Sequence, residues 1–326
     1  MRLRFAHRVV IASAVVLAGS FANRAAAQST SPATAPGKSA ADQGRAPRFS
    51  ADSTLVLIPA TVTDPLNRFV LGLEKPDFHL LEDGMEQTIT HLSGEDAPLS
   101  VGLVFDTSGS MDDKFRISQK AAVQFLKTMN PQDEAFLITF GDRAELAAGF
   151  TNQIEEIENK LTTLRPAGLT AMLDASEMAM REMKKAKNPR KAVLVISDGG
   201  DNNSKYSAKE IESLVREADV QVYAMGVFEP TFYLGLSKEE VSGPRLLSEL
   251  AEQTGGRAFS ASDPNDLPSV AARIGIELRN QYVLSYTPTN QSKDGKYRKV
   301  EVKVTKQAGM PDLKVRWRLG YYAPSE

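Results

Sequence analysis

Three short stretches of this chain collect hard oxygen donors where a backbone can aim them at one point. The first is Asp106-Thr107-Ser108-Gly109-Ser110, in which Asp106, Ser108 and Ser110 alternate. A looping backbone there presents one carboxylate and two hydroxyls to a common centre. The second is Gly168-Leu169-Thr170, a loop running into a helical pattern, and the third is Asp198-Gly199. Carboxylates and hydroxyls suit Mg2+ rather than zinc, which favours nitrogen and sulfur. Each stretch also has a plainer reading. Asp-x-Ser-x-Ser is often a turn followed by a helix N-cap, and Thr170 alone reads as an N-cap.

The elements that must position these residues alternate in type. The apolar run from Leu99 to Phe105 reads as a strand buried on both faces and ends at Asp106. A helix follows over 114–129, with Phe115, Ala122, Phe125, Leu126 and Met129 on one face. Then come strands at 135–140 and 144–150, helices at 154–164 and 170–185, and a strand at 191–197 that ends at Asp198. A helix at 208–218, a strand at 220–227, a helix at 245–253, a short strand at 256–260 and a helix at 266–280 complete the series. Such alternation predicts an α/β fold, with a mostly parallel sheet covered by helices on both faces. Ligands of open parallel sheets bind outside the carboxyl ends of the strands, so Asp106 and Asp198 emerge on one edge.

Taken in order, Asp106-x-Ser108-x-Ser110, Thr170 and Asp198-Gly199 resemble the metal-ion-dependent adhesion site (MIDAS) of von Willebrand factor type A (VWA) domains, over residues 99–280. Leu80-Leu81-Glu82-Asp83-Gly84 and Leu319-Gly320-Tyr321-Tyr322 resemble the bacterial VWFA-related family, which carries this domain in an exported chain. The resemblance implies a Rossmann-like sheet and a divalent cation, Mg2+ with Mn2+ as the alternative. Ser108, Ser110 and Thr170 would hold the ion, with Asp106 and Asp198 binding directly or through water. It also implies an open coordination position that takes an Asp or Glu carboxylate of a protein partner. One departure stands out: related domains usually read Gly-Gly-Thr where this chain has Gly168-Leu169-Thr170. The leucine is expected to stiffen that loop or close the approach to the ion.

Outside the α/β series the rhythm is β. Strands are expected at 55–63, 69–73, 78–81 and 87–92, and again at 281–287, 297–305 and 313–322. The chain thus divides into 52–98, 99–280 and 281–326, and the two β pieces are expected to form one small sandwich interrupted by the α/β domain. Two independent β extensions are the alternative. Residues 28–51, rich in Ser, Ala, Pro, Thr and Gly, read as a flexible linker.

Residues 1–27 read as a secretory signal peptide. Arg2, Arg4 and Arg8 precede an apolar run from Val9 to Ala22, and Ala25-Ala26-Ala27 forms a cleavage site before Gln28. The competing reading is an uncleaved anchor. No later stretch reaches the ~20 apolar residues of a spanning helix, so no transmembrane segment is expected in the mature chain. Export places the protein in the periplasm, outside the cell or on its surface. Zero cysteines exclude disulfides, thiolate metal sites and a cysteine nucleophile. Losing four arginines and no acids with the leader takes the net charge from −2 to −6, which disfavours nucleic acid as a partner.

Several residues read as structural. Asp112, Asp113 and Asp142 are expected to be solvated acids near the same edge, and Asp201, Asn202 and Asn203 to support the Asp198 loop. His79 and His91 belong to the β piece, far from the candidate centre. Lys184, Lys185, Lys187, Arg190 and Lys191 precede the strand that ends at Asp198, so they lie at the opposite edge. The segment 229–242 follows a strand and carries Phe232 and Tyr233, which we expect to read the partner; packing against the domain's own core is the alternative. The preferred function is an exported, metal-dependent, non-enzymatic adhesion or assembly module. The alternatives are a structural envelope protein with an unfilled site and, below that, a metal-dependent hydrolase.

Overall fold

The computed structural model describes residues 55–94, 97–227, 238–261 (side chains from 245), 263–305 and 312–325. The expected leader and linker over 1–51, and Phe232 and Tyr233, lie outside the described residues. The chain opens with strands β1 (Val56–Thr63), β2 (Phe78–Glu82), β3 (Met85–Gln87) and β4 (Ile89–Ser93). The alternating region runs β5 (Leu99–Asp106), α1 (Phe115–Leu126), β6 (Glu134–Phe140), β7 (Ala144–Thr151), α2 (Ile154–Thr163), α3 (Met172–Met183) and β8 (Arg190–Ser197). It continues through α4 (Ala208–Glu217), β9 (Gln221–Gly226), α5 (Lys238–Gln253), β10 (Ala258–Ser260) and α6 (Leu267–Arg279). Strands β11 (Tyr282–Tyr286), β12 (Tyr297–Val304), β13 (Lys314–Trp317) and β14 (Gly320–Tyr322) follow.

The α/β region forms one sheet in the order β10-β9-β8-β5-β6-β7, parallel except for β7 at the edge. Every residue of β5 is buried because its two faces meet different cores. Val101, Leu103 and Phe105 join the layer that holds Phe125 of α1 and Ile274 of α6. Val104 joins the other layer, with Met180 of α3, Val215 of α4 and Leu250 of α5. Burying each such side chain stabilises the fold by ~1.5–3 kcal/mol. Gly102 in the middle of β5 is a packing requirement: a Cβ there would lie 2.3 Å from Cζ of Phe136, its partner across the β5–β6 ladder. The order of strands reverses between β5 and β8, because α1 carries the chain to β6 on one side and α4 carries it to β9 on the other. Asp106 closes β5 and Asp198 follows β8, so both acids leave the sheet at this switch.

The remaining strands build two four-stranded antiparallel sheets, β13-β1-β11-β4 and β14-β12-β2-β3, over a common core. Each sheet combines strands from before and after the α/β region, so the two β pieces form one sandwich. Alternating burial along β12 shows one face turned inward. Glu82 on β2 bridges the halves: its buried Oε2 accepts the hydroxyls of Tyr286 on β11 at 2.7 Å and Tyr321 on β14 at 2.8 Å. Burial, and then the bond to Glu82, raise the pKa of both phenols, which stay protonated as donors. Glu82 and Tyr321 belong to the two flanking motifs singled out in the sequence.

Four expected elements differ. The strand expected at 69–73 reduces to a single bridge between Thr63 and Phe69. There the Asp64 carboxylate accepts Leu66 N and Arg68 N at 2.9 Å each and turns the chain instead. The strand expected at 313–322 breaks at Arg318-Leu319 into β13 and β14, which lie in different sheets. Arg318 anchors that corner by pairing with Asp219 and donating to Ala218 O just beyond α4, where positive charge suits the helix end. The helix expected from 114 is preceded by a 3-10 segment, Gly109–Lys114, and α1 starts at Phe115. Finally, α5 begins at Lys238, seven residues before the expected start at 245. The segment 229–242 is therefore not a single long loop, since its last five residues are helical.

Candidate metal centre

The candidate centre starts from a buried carboxylate at the end of a buried strand. Oδ1 of Asp106 accepts Ser108 N at 2.8 Å, which curls the chain sharply after β5. Oδ2 accepts the Ser197 hydroxyl at 2.6 Å, and that oxygen in turn accepts Gly199 N at 2.9 Å. Asp106 therefore locks its own loop to the loop that carries Asp198. Ser197 was not anticipated from the sequence, although its place at the end of β8, beside Asp106, offered the signal. The Ser108 and Ser110 hydroxyls stand 3.0 Å apart.

The loop with Thr170 is held from both sides. Ala167 N donates to Thr107 O at 2.8 Å and Gly109 N to Gly168 O at 3.0 Å, joining it to the Asp106 loop. Thr170 N donates to Asn202 Oδ1 at 2.9 Å, and Thr170 O accepts Asn202 N and Asn203 N at 3.0 and 3.1 Å. Asn202 and Asn203 thus tie the segment after Asp198 to the Thr170 loop. Asp201 supports the loop differently: its Oδ2 accepts Leu173 N at 2.8 Å at the start of α3. Thr170 is buried, and its hydroxyl has no hydrogen-bond partner among the described residues, so it does not act as an N-cap.

Asp142 is more than the solvated acid expected. It is exposed, yet its Oδ1 accepts Leu169 N at 2.7 Å and its backbone carbonyl accepts Asn203 Nδ2 at 2.6 Å. Gly168 sits at φ +82°, and a Cβ there would come within 2.5 Å of the Asp142 carboxylate, so only glycine fits the turn. Leu169 is 49% exposed. Asp112 and Asp113 are exposed, as expected.

Electrostatics set this place apart. Burial, and then the negative charge of Asp198, push the Asp106 carboxyl up to about 6. Among the described residues no ion pair engages Asp106 or Asp198, and the Asp198 carboxylate accepts no hydrogen bond. The edge therefore gathers two acids and three hydroxyls without a balancing positive charge. Among the described residues no group of three or more His, Cys, Asp or Glu is placed to hold a metal, so this centre is of a different, hydroxyl-rich kind. Its donors fit a hard divalent cation.

Residues 101–200 match the family model of the von Willebrand factor type A domain, a span that contains all five candidate ligands. An uncharacterized protein of Borreliella burgdorferi is 24% identical over 199 residues, which cover 55% of this chain and 57% of that protein. The match thus spans little more than half of either. A von Willebrand factor type A structure from Catenulispora acidiphila aligns with a TM-score of 0.50 at 12% identity, over 84% of this chain and 74% of its own. That span is longer than the α/β region, and at this identity it speaks to the fold alone. The PilB minor pilin of Streptococcus sanguinis aligns at a TM-score of 0.44 and 17% identity, over 57% of this chain and 62% of the pilin. Residues 101–200 thus carry a von Willebrand factor type A domain by sequence match, and the fold agrees over a wider span.

Proposed function

We propose that this protein is an exported, non-enzymatic binding module of the adhesion or assembly type. In this reading Asp106, Ser108, Ser110, Thr170 and Asp198 hold a divalent cation, Mg2+ or alternatively Mn2+, and an open position on the ion takes an Asp or Glu carboxylate from a protein partner. The observation that carries the reading is the buried Asp106 beside Asp198, neither in an ion pair among the described residues, next to a Thr170 hydroxyl with no partner among them. A bound cation would relieve that repulsion and dominate the local field. Neutral hydroxyls as direct ligands leave the ion electron-poor, so an incoming carboxylate is a strong fifth or sixth donor.

Binding without turnover is the better reading of the same residues. An aspartyl nucleophile needs an acid or base close by, and the neighbour two residues on is Ser108. His79 and His91 are exposed on the sandwich strands β2 and β4, away from the switch. Export rests on the tripartite pattern of residues 1–27. It is compatible with the finding that no helix among the described residues is long and apolar enough to cross a membrane.

The test is capture from a cell-envelope extract on immobilised protein, in Mg2+ and in chelator, with Asp106→Ala as the control. A protein retained by wild type in Mg2+, released by chelator and absent from the variant is expected. Retention that ignores both chelator and Asp106→Ala would overturn the proposal. N-terminal sequencing of the exported product is expected to begin at or close to Gln28; Met1 on a soluble cytoplasmic product would remove the export part.

A further inference from the structure

A cleft of about 820 Å3 runs between α1, the C-terminal end of α2 and the start of α6. Its upper end adjoins the candidate centre. Asp112, two residues beyond Ser110, lines it, and so does Pro166, which leads into the Thr170 loop. The rim carries four exposed cations, Arg116, Lys120, Lys127 and Arg165, against the single acid Asp112. None of the four is in an ion pair among the described residues, although surface bridges occur at other places on the molecule. Arg165 is steadied by its Nη1, which donates to Leu164 O at 2.8 Å, and the rest of its guanidinium is uncommitted.

This concentration of charge opposes the net balance of the chain, which is −2 overall. It is also ordered. At 100° per residue, positions 116, 120 and 127 fall within ~40° of one another on the helix, a single stripe ~16 Å long. About five residues of extended peptide cover that length. Beside the stripe the cleft is lined by the apolar Phe115, Val123, Leu161 and Pro268, with Gln119, Gln124 and Thr162 among them. Cations next to apolar lining match a peptide that carries acids together with apolar side chains. A uniformly charged glycan or nucleic acid would leave the apolar lining uncovered. The chain's own stretch 28–54 does not match, since it has Lys38, Arg45 and Arg48 against Asp42 and Asp52.

We propose that the cleft is a docking site for an acidic, extended segment of the partner protein, running from the metal loops down α1. The inference rests on the proposed function only for where the partner's leading carboxylate sits; the rim cations are independent of any metal. Charge on the rim then selects partners whose Asp or Glu is followed by further acids, and it speeds their encounter.

The test uses the full chain and a fluorescein-labelled nonapeptide of three Glu-Glu-Leu repeats, with the Gln-Gln-Leu peptide as control, read by fluorescence anisotropy. In chelator, wild type is expected to bind the acidic peptide and not the neutral one, with affinity falling as salt rises. Arg116→Glu with Lys120→Glu is expected to weaken binding about tenfold or more, and Lys127→Glu alone to weaken it less. Lys184→Glu with Lys187→Glu, at the opposite edge of the sheet, is expected to change it less than about twofold, with the melting midpoint of each variant checked against wild type. Mg2+ is expected to tighten binding further. If Mg2+ adds nothing while the Arg116 and Lys120 reversal abolishes binding, the cleft stands and the metal reading fails. Absence of binding by wild type, equal binding by the Arg116 and Lys120 variant, or equal loss in the Lys184 and Lys187 variant would overturn the docking site. Dextran sulfate binding more tightly than the acidic peptide would overturn a peptide as the occupant.

Discussion

At the N-terminal edge of the six-stranded sheet, two of three buried acids, Asp133 and Glu277, meet arginines, while the third, Glu134, meets neutral donors. Asp133 accepts Leu99 N at 2.9 Å and Asn130 N at 2.7 Å, and it pairs with Arg279 at the end of α6. Glu134 accepts the Ser100 hydroxyl and Lys187 N, both at 2.7 Å. Glu277, fully buried on α6, lies 3.1 Å from Arg257 and 3.5 Å from Arg316 of the sandwich. At the C-terminal edge Asp106 is equally buried, but its charged neighbour is another acid and its donors are hydroxyls and an amide. One edge is closed by the chain itself; the other is complete in shape and incomplete in charge. The closed edge fastens α6 and the sandwich to the sheet. That gives the open edge a rigid base from which to present its loops.

The same substitution at the two edges should expose this contrast. Asp133→Asn strips the buried charge that faces Arg279, so a loss of ~3–5 kcal/mol is expected in urea unfolding. A loss below ~1 kcal/mol would mean that the N-terminal edge is not held by its ion pairs. Next in size is the sandwich lock. Tyr321→Phe removes one of the two hydroxyls on Glu82 and is expected to cost ~1–1.5 kcal/mol. A neutral result would show that Glu82 is satisfied by Tyr286 alone. The smallest effect is expected from Asp106→Asn in chelator. It removes a charge that only another acid and neutral donors face, so stability should lie within ~1 kcal/mol of wild type or above it. A drop comparable to that of Asp133→Asn would erase the difference between the edges.

How far the sequence reveals this molecule depends on how local each signal is. Strands buried on both faces, such as β5 and β8, have apolar centres and are flanked by helices of clear period, so they are readable directly. Asp106, Ser108, Ser110, Thr170 and Asp198 are readable because each closes a strand or opens a helix, and the topology then gathers them. Features set by distant partners are not readable. The turn at Arg318-Leu319 interrupts an otherwise strand-like run because Arg318 is drawn to Asp219, about a hundred residues away. Ser197 looks like one more strand residue until Asp106 is placed beside it. Asp142 looks like a surface acid, and only the fold puts its carboxylate under Gly168 and on Leu169 N. The early start of α5 is hidden for another reason. Ser242-Gly243-Pro244 reads as a helix breaker, and the helix nevertheless runs through it.

The central claim is that the open edge is completed by a divalent cation, and calorimetric titration of the chelator-treated protein with Mg2+ tests it most directly. Wild type is expected to give a single-site isotherm. Mg2+ at a hundred times the measured Kd should then raise unfolding stability by ~2.7 kcal/mol. Asp106→Asn is expected to give neither the isotherm nor the gain. No heat from wild type at millimolar Mg2+ or Mn2+, together with unchanged unfolding, would contradict the claim.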